Sequence, residues 1–231
     1  WAFGLVTKDR RPKLAHEAVR SLWREGGEIP GGYRVPMVSV VVCAYNAAET
    51  LIPTLRSLDR LNYPDYEVIL IDDGSRDATQ GLVGDFERER AASPGPKPPF
   101  HNIVGENRGL SAARNAGIAA ARGEVVAFTD ADCVADADWL RHLCWTLASG
   151  EFAAAGGPNF PPPAEGWVEA CVAAAPGAPS HVLLSDVEAE HVPGCNMAFW
   201  KGPLQEIGGF DASYRVAGDD VDVCWRLMAR G

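Results

Sequence analysis

Paired aspartates occur at three points along the chain, each where a predicted strand or loop meets a helix. They are Asp72-Asp73, Asp130-Ala131-Asp132 and Asp219-Asp220. The middle group follows an apolar run at 125–129 that predicts a short buried strand. Two carboxylates one residue apart, on the turn that leaves a strand, can present oxygens to one hard divalent cation and leave positions for a diphosphate and water. The pattern therefore predicts a nucleotide-diphosphate site.

Strands and helices alternate along most of the chain, which indicates how these aspartates are positioned. Apolar runs and helical spacing predict strands at 38–43, 68–71, 101–104 and 125–129, and helices at 50–61, 78–90, 110–121 and 221–229. Such alternation is typical of parallel βαβ units in an α/β fold with helices on both faces of the sheet. Right-handed crossovers would then bring the strand ends, with Ala44-Tyr45-Asn46, Asp72-Asp73 and Asp130-Ala131-Asp132, to one edge.

Composition and charge exclude some classes of partner. The 231 residues carry a formal net charge of -10 and no cluster of Lys and Arg with interleaved aromatic residues, so we expect no nucleic-acid partner. The six cysteines form no C-x-x-C pair and no zinc spacing, which predicts reduced, mostly buried thiols and a cytoplasmic protein. No apolar run approaches the roughly 18 to 20 residues that span a bilayer. Membrane contact, at the inner face of the plasma membrane, is expected only through parts outside this sequence.

A stretch rich in Gly and Pro divides the sequence. We expect a leading helical segment at 1–24, a linker at 25–36 and the main domain at 37–231, which we expect to continue past its last residue because it stops directly after a helical run. The leading segment, WAFGLVTKDRRPKLAHEAVRSLW, loosely resembles the last strand, loop and helix of a (β/α)8 glycoside-hydrolase domain. That resemblance implies the end of a preceding domain.

Four ordered motifs resemble one family of enzymes. They read VSVVVCAYNAAETLIPTLRSL, YEVILIDDGSRDAT, NRGLSAARNAGIAAARGEVVAFTDADC and PGCNMAFWKGPLQEIGGFDASYRVAGDDVDVCWRL. Together, within Val38 to Gly231, they resemble the inverting family 2 glycosyltransferases. The resemblance implies the GT-A (nucleotide-diphospho-sugar transferase) fold, with a mostly parallel central sheet. It also implies a hexosyltransferase that moves sugar from a nucleoside-diphosphate donor, a UDP-sugar, to a glycan or lipid-linked acceptor.

The resemblance assigns roles to individual residues. Asp220 would be the catalytic base, with Asp219 beside it where the family usually has Glu, which is longer by one methylene. Asp132 would bind the metal directly, and Asp130 would bind the ribose or support the metal. The residues that match nucleotide-sugar-binding positions are Ala44, Tyr45, Asn46, Glu49, Asp72, Asp73, Asn107, Gly109, Arg114, Asp130, Ala131, Asp132, Gly194, Cys195 and Asn196.

The chemistry that the resemblance implies needs these residue types. A nucleotide sugar is a poor electrophile until its departing diphosphate is neutralised, which is the role of a bound Mg²⁺ or Mn²⁺. A carboxylate on the opposite face of the sugar must take the proton of the acceptor hydroxyl. With one base and no carboxylate nucleophile, single displacement would give a β-linked product from an α-linked donor.

Other interpretations stay open at this level. Asp72-Asp73 is typical of a strand-ending turn, Asp219-Asp220 of the positive N-terminal end of a helix, and Arg114 of a helix surface. The domain could bind a nucleotide sugar without turnover. Nucleotidyl transfer would want a Gly-rich loop bearing Arg and Lys after the first strand, which Cys43 to Ala48 lacks, and no G-x-G-x-x-G follows a strand as a dehydrogenase would require. His181 and His191 receive no catalytic role.

Overall fold

A six-stranded sheet forms the centre of the computed structural model, which describes residues 35–150, 152–161, 166–174, 182–185 and 188–230. The predicted leading segment, the linker up to residue 34, His181 and Gly231 lie outside these residues. The strands are β1 Val38–Ala44, β2 Tyr66–Asp72, β3 Phe100–Val104, β4 Val125–Asp130, β5 Ala154–Gly156, β6 Val182–Leu183, β7 Ala189–His191 and β8 Met197–Trp200. The helices are α1 Leu51–Leu58, α2 Thr79–Ala92, α3 Leu110–Ala120, α4 Trp139–Ser149, α5 Trp167–Ala174, α6 Lys201–Glu206 and α7 Asp219–Met228.

The strand order explains where a ligand can bind. The order in the large sheet is β3-β2-β1-β4-β8-β5, and β6 pairs with β7 in a separate two-stranded sheet. β1 pairs in parallel with β2 on one side and β4 on the other, whereas β8 is antiparallel to both β4 and β5. The chain therefore leaves β1 in one direction and returns to its other side, and such a reversal opens a crevice at the carboxyl ends of the strands. The predicted α/β class with a mostly parallel sheet is confirmed.

The core has two layers, one on each face of the sheet, because alternate strand residues point to opposite faces. Val40 and Val42 of β1 pack with Leu55 of α1 on the first face. On the second, Val41 packs with residues of α3 and α7, including Val223. The sheet is thus covered on both sides, as the strand runs of branched apolar residues require. Among the described helices, none has the length and apolarity to cross a membrane.

Helix α3 approaches the sheet unusually closely. A Cβ at Gly117 would lie 2.3 Å from Cγ1 of Val41, so only glycine fits there. Arg114 is one helical turn before Gly117, and it therefore projects along the sheet surface toward the carboxyl edge. This contact fixes the height at which α3 carries the arginine.

A buried charged group lies at the opposite, amino edge of the sheet. Glu67 on β2 accepts hydrogen bonds from the Ser39 hydroxyl at 2.7 Å, the Arg122 backbone N–H at 2.8 Å and the Arg122 side chain at 2.8 Å. Burial alone would raise the pKa of Glu67, but these hydrogen bonds together hold that pKa below its ordinary value. The group fastens the turn between α3 and β4 to the first two strands.

Candidate functional site

The loop after β1 opens the site and is held by the loop after β2. The backbone N–H of Asn46 donates to Oγ of Ser75 at 2.9 Å, and Oδ1 of Asn46 accepts from the backbone N–H of Arg76 at 2.8 Å. Asn46 adopts φ 52°, a left-handed conformation that asparagine tolerates better than most residues. Its neighbour Tyr45 stays 49% exposed. The paired loops therefore present an aromatic ring at the sheet edge, while Glu49 lies exposed beyond it.

The two aspartates that follow β2 have different surroundings. The carboxylate of Asp73 accepts hydrogen bonds from the backbone N–H groups of Arg108 and Gly109, both at 2.8 Å. Asp72 accepts one from the backbone N–H of Ser75 at 2.8 Å, while its Oδ2 is buried without a hydrogen-bond partner in the part of the chain that the structure describes. A buried carboxylate oxygen with no donor is costly, so Asp72 carries an unsatisfied acceptor beneath the edge of the sheet.

The segment after β3 is clamped from two sides. Asp73 holds it from one side, as above, and the loop that precedes α7 holds it from the other. The backbone N–H of Leu110 donates to the carbonyl of Arg215 at 3.0 Å, and the Arg215 guanidinium donates to Oδ1 of Asn107 at 3.4 Å. Gly109 has φ 93°, and a Cβ there would lie 3.0 Å from Cα of Arg215. A glycine is therefore required at this crossing.

The aspartates at the end of β4 lie near other acidic side chains. Asp130 is half-buried and Asp132 lies exposed on the next turn, with Ala131 buried between them. Burial raises the pKa of Asp130, and the nearby carboxylates of Asp132, Asp219 and Asp220 raise it further, while the Arg114 guanidinium opposes them. Carboxylates from two distant segments thus lie within electrostatic range of one another.

The donor set of this turn fits a hard divalent cation. Asp130 and Asp132 offer carboxylate oxygens, which such cations prefer. Within the described ranges, no cluster of three or more His, Cys, Asp or Glu side chains is arranged to hold a metal ion. A cation here would complete its coordination with oxygens of a ligand and water, as is usual for Mg²⁺ bound beside phosphates.

Asp219 and Asp220 begin α7 but point to different surroundings. Asp219 is 2% exposed and accepts a hydrogen bond from the guanidinium of Arg114, which is itself buried. Asp220 is half-buried, and its Oδ2 accepts from the backbone N–H of Gly194 at 2.9 Å while its Oδ1 accepts from the backbone N–H of Val221 at 2.9 Å. Of the two, Asp220 is therefore the carboxylate that a ligand can reach.

Residues 192–196 form the loop between β7 and β8, called the Gly194 loop here. In space, this loop lies between the β4 turn and the start of α7. The side chain of Asn196 accepts a hydrogen bond from the Trp139 indole at 2.8 Å and donates one to the Pro158 carbonyl at 3.2 Å. The nearby thiol of Cys133 lowers the pKa of Cys195, and the Cys133 thiol donates to Oδ1 of Asp132 at 3.4 Å. The loop is thus fastened at its base by Asn196 and lies against the Asp132 turn through Cys195.

Comparison with known proteins agrees with this geometry. A family model described as Glycosyl transferase family 2 matches residues 39–207. The chain belongs to this family. It is therefore a transferase.

Known proteins and solved structures resemble much of the chain. The glucosyl-dolichyl phosphate glucuronosyltransferase of Haloferax volcanii is 27% identical over 213 residues, which cover 82% of this chain and 63% of the relative. The mannosyltransferase PcManGT of Pyrobaculum calidifontis, solved with GDP-Man and Mn²⁺, has a TM-score of 0.68 at 24% identity and covers 94% of this chain and 61% of its own. TarS 1-349 of S. aureus, solved with UDP-GlcNAc, has a TM-score of 0.59 at 17% identity and covers 83% of this chain and 53% of its own.

The fold of this chain is the GT-A fold of those glycosyltransferases, as the resemblance implied. The chain spans 63% of the length of the glucuronosyltransferase and 36% of another curated relative. The chain therefore matches only part of the length of these relatives.

The structure brings most, but not all, of the site residues predicted from the sequence to the carboxyl edge of the sheet. Residues after β1, β2, β3 and β4, with Gly194 and Asp220, meet at the carboxyl edge. Arg114 lies beneath that edge, 3% exposed, and the amide of Asn196 is engaged by protein partners. Sequence patterns could not find the contributions of Arg215 and Ser75, because both act through backbone or loop contacts between segments far apart in the chain.

Proposed function

We propose that this chain catalyses inverting transfer of a sugar from a UDP-sugar to a glycan or lipid-linked acceptor, with Asp220 as the base. One observation carries the proposal: the Arg114 guanidinium contacts Asp130, at 3.4 Å, and also Asp219, so the Asp130-Asp132 turn and the start of α7 with Asp220 meet at the crevice edge although they come from distant segments. Donor activation and proton removal need groups on two sides of the reacting sugar. The edge offers both.

Contacts around the first two strands support a nucleotide on this side of the site. Ala44 accepts a hydrogen bond from the backbone N–H of Asp73 at 2.8 Å, which joins the first two loops. Tyr45 offers an exposed ring on which a base can stack. We take a uridine donor from the resemblance of the four motifs to the family, and TarS was solved with UDP-GlcNAc.

Asp132 and Asp130 would hold Mn²⁺ or Mg²⁺ in this proposal. When bound, the cation acts as a Lewis acid that neutralises the charge of the departing diphosphate. The carboxylate oxygens of the two residues suit such a cation, and PcManGT was solved with Mn²⁺ and a nucleotide sugar. Asp132 is the more exposed of the two, so it is the one assigned direct binding, while Asp130 is partly engaged by Arg114 at 3.4 Å.

Asp220 is suited to accept the proton of an acceptor hydroxyl. Two backbone N–H groups fix its orientation, and its side chain remains partly exposed. Asp219 is already paired to Arg114 and is assigned a supporting role. General-base assistance of this kind typically contributes about 10²- to 10⁴-fold. In this proposal the acceptor oxygen attacks the anomeric carbon as its proton passes to Asp220 and the bond to the diphosphate breaks, and such a single displacement inverts the anomeric centre.

The acceptor is assigned by class from the relatives. The name of the Haloferax volcanii protein describes a lipid-linked sugar phosphate that receives a glucuronosyl group. That class of acceptor presents a hydroxyl on a sugar already anchored to a lipid. The wall formed by the Gly194 loop and α7 is the side from which such a hydroxyl would approach Asp220.

Calorimetric titration of the chain with UDP, GDP and dTDP, each with and without Mn²⁺, tests the proposal. We expect binding that depends on Mn²⁺ and favours UDP. Preference for GDP would replace the uridine donor, and binding without regard to the metal would contradict the role of Asp132. Binding to none of the three nucleotides would overturn the proposed function.

A further inference from the structure

Arg114 is buried at the meeting point of the donor and base sides of the site. Its side chain is 3% exposed. One guanidinium nitrogen donates to Asp219, and Nη2 lies 3.4 Å from Oδ1 of Asp130. The guanidinium also lies over the ring of Phe210, 5.4 Å from its centroid. A side chain with these neighbours has no face left for a nucleotide.

The same guanidinium packs against the loop that orients Asp220. A Cβ added to Gly194 would lie 2.5 Å from Nη2 of Arg114. The backbone N–H of Gly194 donates to Oδ2 of Asp220 at 2.9 Å. Asp219, the other partner of Arg114, is bonded covalently to Asp220. Arg114 therefore touches both supports of the Asp220 carboxylate.

We propose that Arg114 is a positioning residue that holds the Asp220 carboxylate in place through Asp219 and Gly194. Its importance for transfer rests on the proposed function, in which Asp220 is the base. Its effect on the Gly194–Asp220 contact does not. The planar guanidinium can contact Asp219, Asp130 and Gly194 at once, whereas the ammonium group of a lysine cannot reproduce this fork.

Two variants separate positioning from a purely structural role. Arg114→Lys keeps the positive charge but replaces the planar guanidinium, with its several N–H donors, by a single ammonium group. The double variant Arg114→Met with Asp219→Leu removes both buried charges together, and such apolar replacement of a buried ion pair commonly leaves the fold intact. The matched control replaces another largely buried ion pair, in the double variant Arg90→Met with Asp59→Leu. The side chains of Arg90 and Asp59 are 13% and 10% exposed, and the pair lies at the far end of α2.

Two readouts are compared in each variant. The first is exchange of the Gly194 amide hydrogen, measured by NMR, which needs no substrate. The second is nucleoside-diphosphate release from UDP-glucose, UDP-N-acetylglucosamine and GDP-mannose with Mn²⁺, normalised to folded protein. In the double variant we expect Gly194 exchange to rise about tenfold or more, because its hydrogen bond opens locally. We expect turnover to fall about 10²-fold, the cost of a base misplaced by about 1 Å.

Gly194 exchange tests the positioning role of Arg114 independently of the proposed function. The control should retain wild-type Gly194 exchange and turnover, and Arg114→Lys should lie between the control and the double variant. Unchanged Gly194 exchange in both Arg114 variants would overturn the inference. Faster exchange with undiminished turnover would support the positioning of Asp220 by Arg114 and refute Asp220 as the base. A wild-type chain that binds no nucleotide and turns over no donor would refute the proposed function, and Gly194 exchange alone would then decide whether Arg114 positions Asp220.

Discussion

The backbone N–H of Gly194 donates a hydrogen bond to the carboxylate of Asp220 at 2.9 Å, across 26 residues of sequence. This contact joins the loop beside the β4 turn to the first turn of α7. A carboxylate held by a backbone donor keeps one orientation, and a base must be oriented before it can accept a proton efficiently. The contact depends on the absence of a side chain at position 194, because the Arg114 guanidinium occupies that space.

Substitution of Gly194 tests that dependence. In Gly194→Ala, the new Cβ would lie 2.5 Å from Nη2 of Arg114, which its carboxylate partners hold in place. We expect the free energy of unfolding to fall by about 1 to 3 kcal/mol, as in other overpacked sites. The control Gly84→Ala on α2 meets nothing within 4 Å and should be neutral or slightly stabilising. Equal effects of the two substitutions in chemical denaturation would show that Arg114 does not confine Gly194.

Asp220→Asn separates binding from transfer. The single amide oxygen can still accept from Gly194, although the bond from the Val221 N–H is then lost. The fold should persist and donor affinity should stay within about twofold, but the amide cannot take a proton. Transfer should fall by about 10²- to 10⁴-fold. The control Asp222→Asn, two residues further into α7, removes a pair with Arg226 and should retain turnover. Loss of donor binding in a folded Asp220→Asn protein would contradict the assignment of the base.

Asp132→Asn tests the metal site. Removing this exposed carboxylate should reduce UDP affinity in Mn²⁺ to the level measured without the metal, because the amide carries no charge to hold the cation. Asp136→Asn is the matched control, since Asp136 lies in the same loop and its side chain accepts only the backbone N–H of Asp138 at 2.9 Å. Metal-dependent binding that survives in Asp132→Asn would remove Asp132 from the site.

Glu67 predicts how stability depends on pH. Its pKa is lowered in the folded state, so its contribution is fully present above the ordinary value of 4.5 and is lost as the pH falls through the lowered folded pKa. Glu67→Gln should cost about 1.5 to 3 kcal/mol at pH 7, the range for hydrogen bonds to a charged group. Urea denaturation from pH 7 to pH 3 should show the two proteins converging below pH 4.5. A gap that stays constant with pH would mean that the charge of Glu67 contributes nothing.

Local patterns predicted the repeating part of the fold. The apolar run at 38–43 became β1 at Val38–Ala44, and helical spacing at 78–90 became α2 at Thr79–Ala92. The run at 68–71 underestimated β2, which begins at Tyr66, because the buried charge of Glu67 interrupts the apolar pattern. The position of β8 between β4 and β5 could not be predicted, since that pairing joins segments far apart in sequence.

Long-range pairing also limited the prediction of the site. Asp130, Asp132 and Asp220 could be proposed because their motifs are local. Arg114 is separated from Asp219 by 105 residues, and the sequence alone allowed an exposed helix position that the structure does not show. The orphaned oxygen of Asp72 likewise becomes visible only once its neighbours are placed.

Inverting transfer with Asp220 as base is tested most directly by NMR. The anomeric proton of the sugar is followed while the chain turns over an α-linked UDP-sugar with Mn²⁺. If the reaction is a single displacement with Asp220 as base, the β-configured product appears first and Asp220→Asn forms it at least about 10²-fold more slowly. An α-configured first product, or undiminished turnover by Asp220→Asn, would contradict single displacement with Asp220 as base.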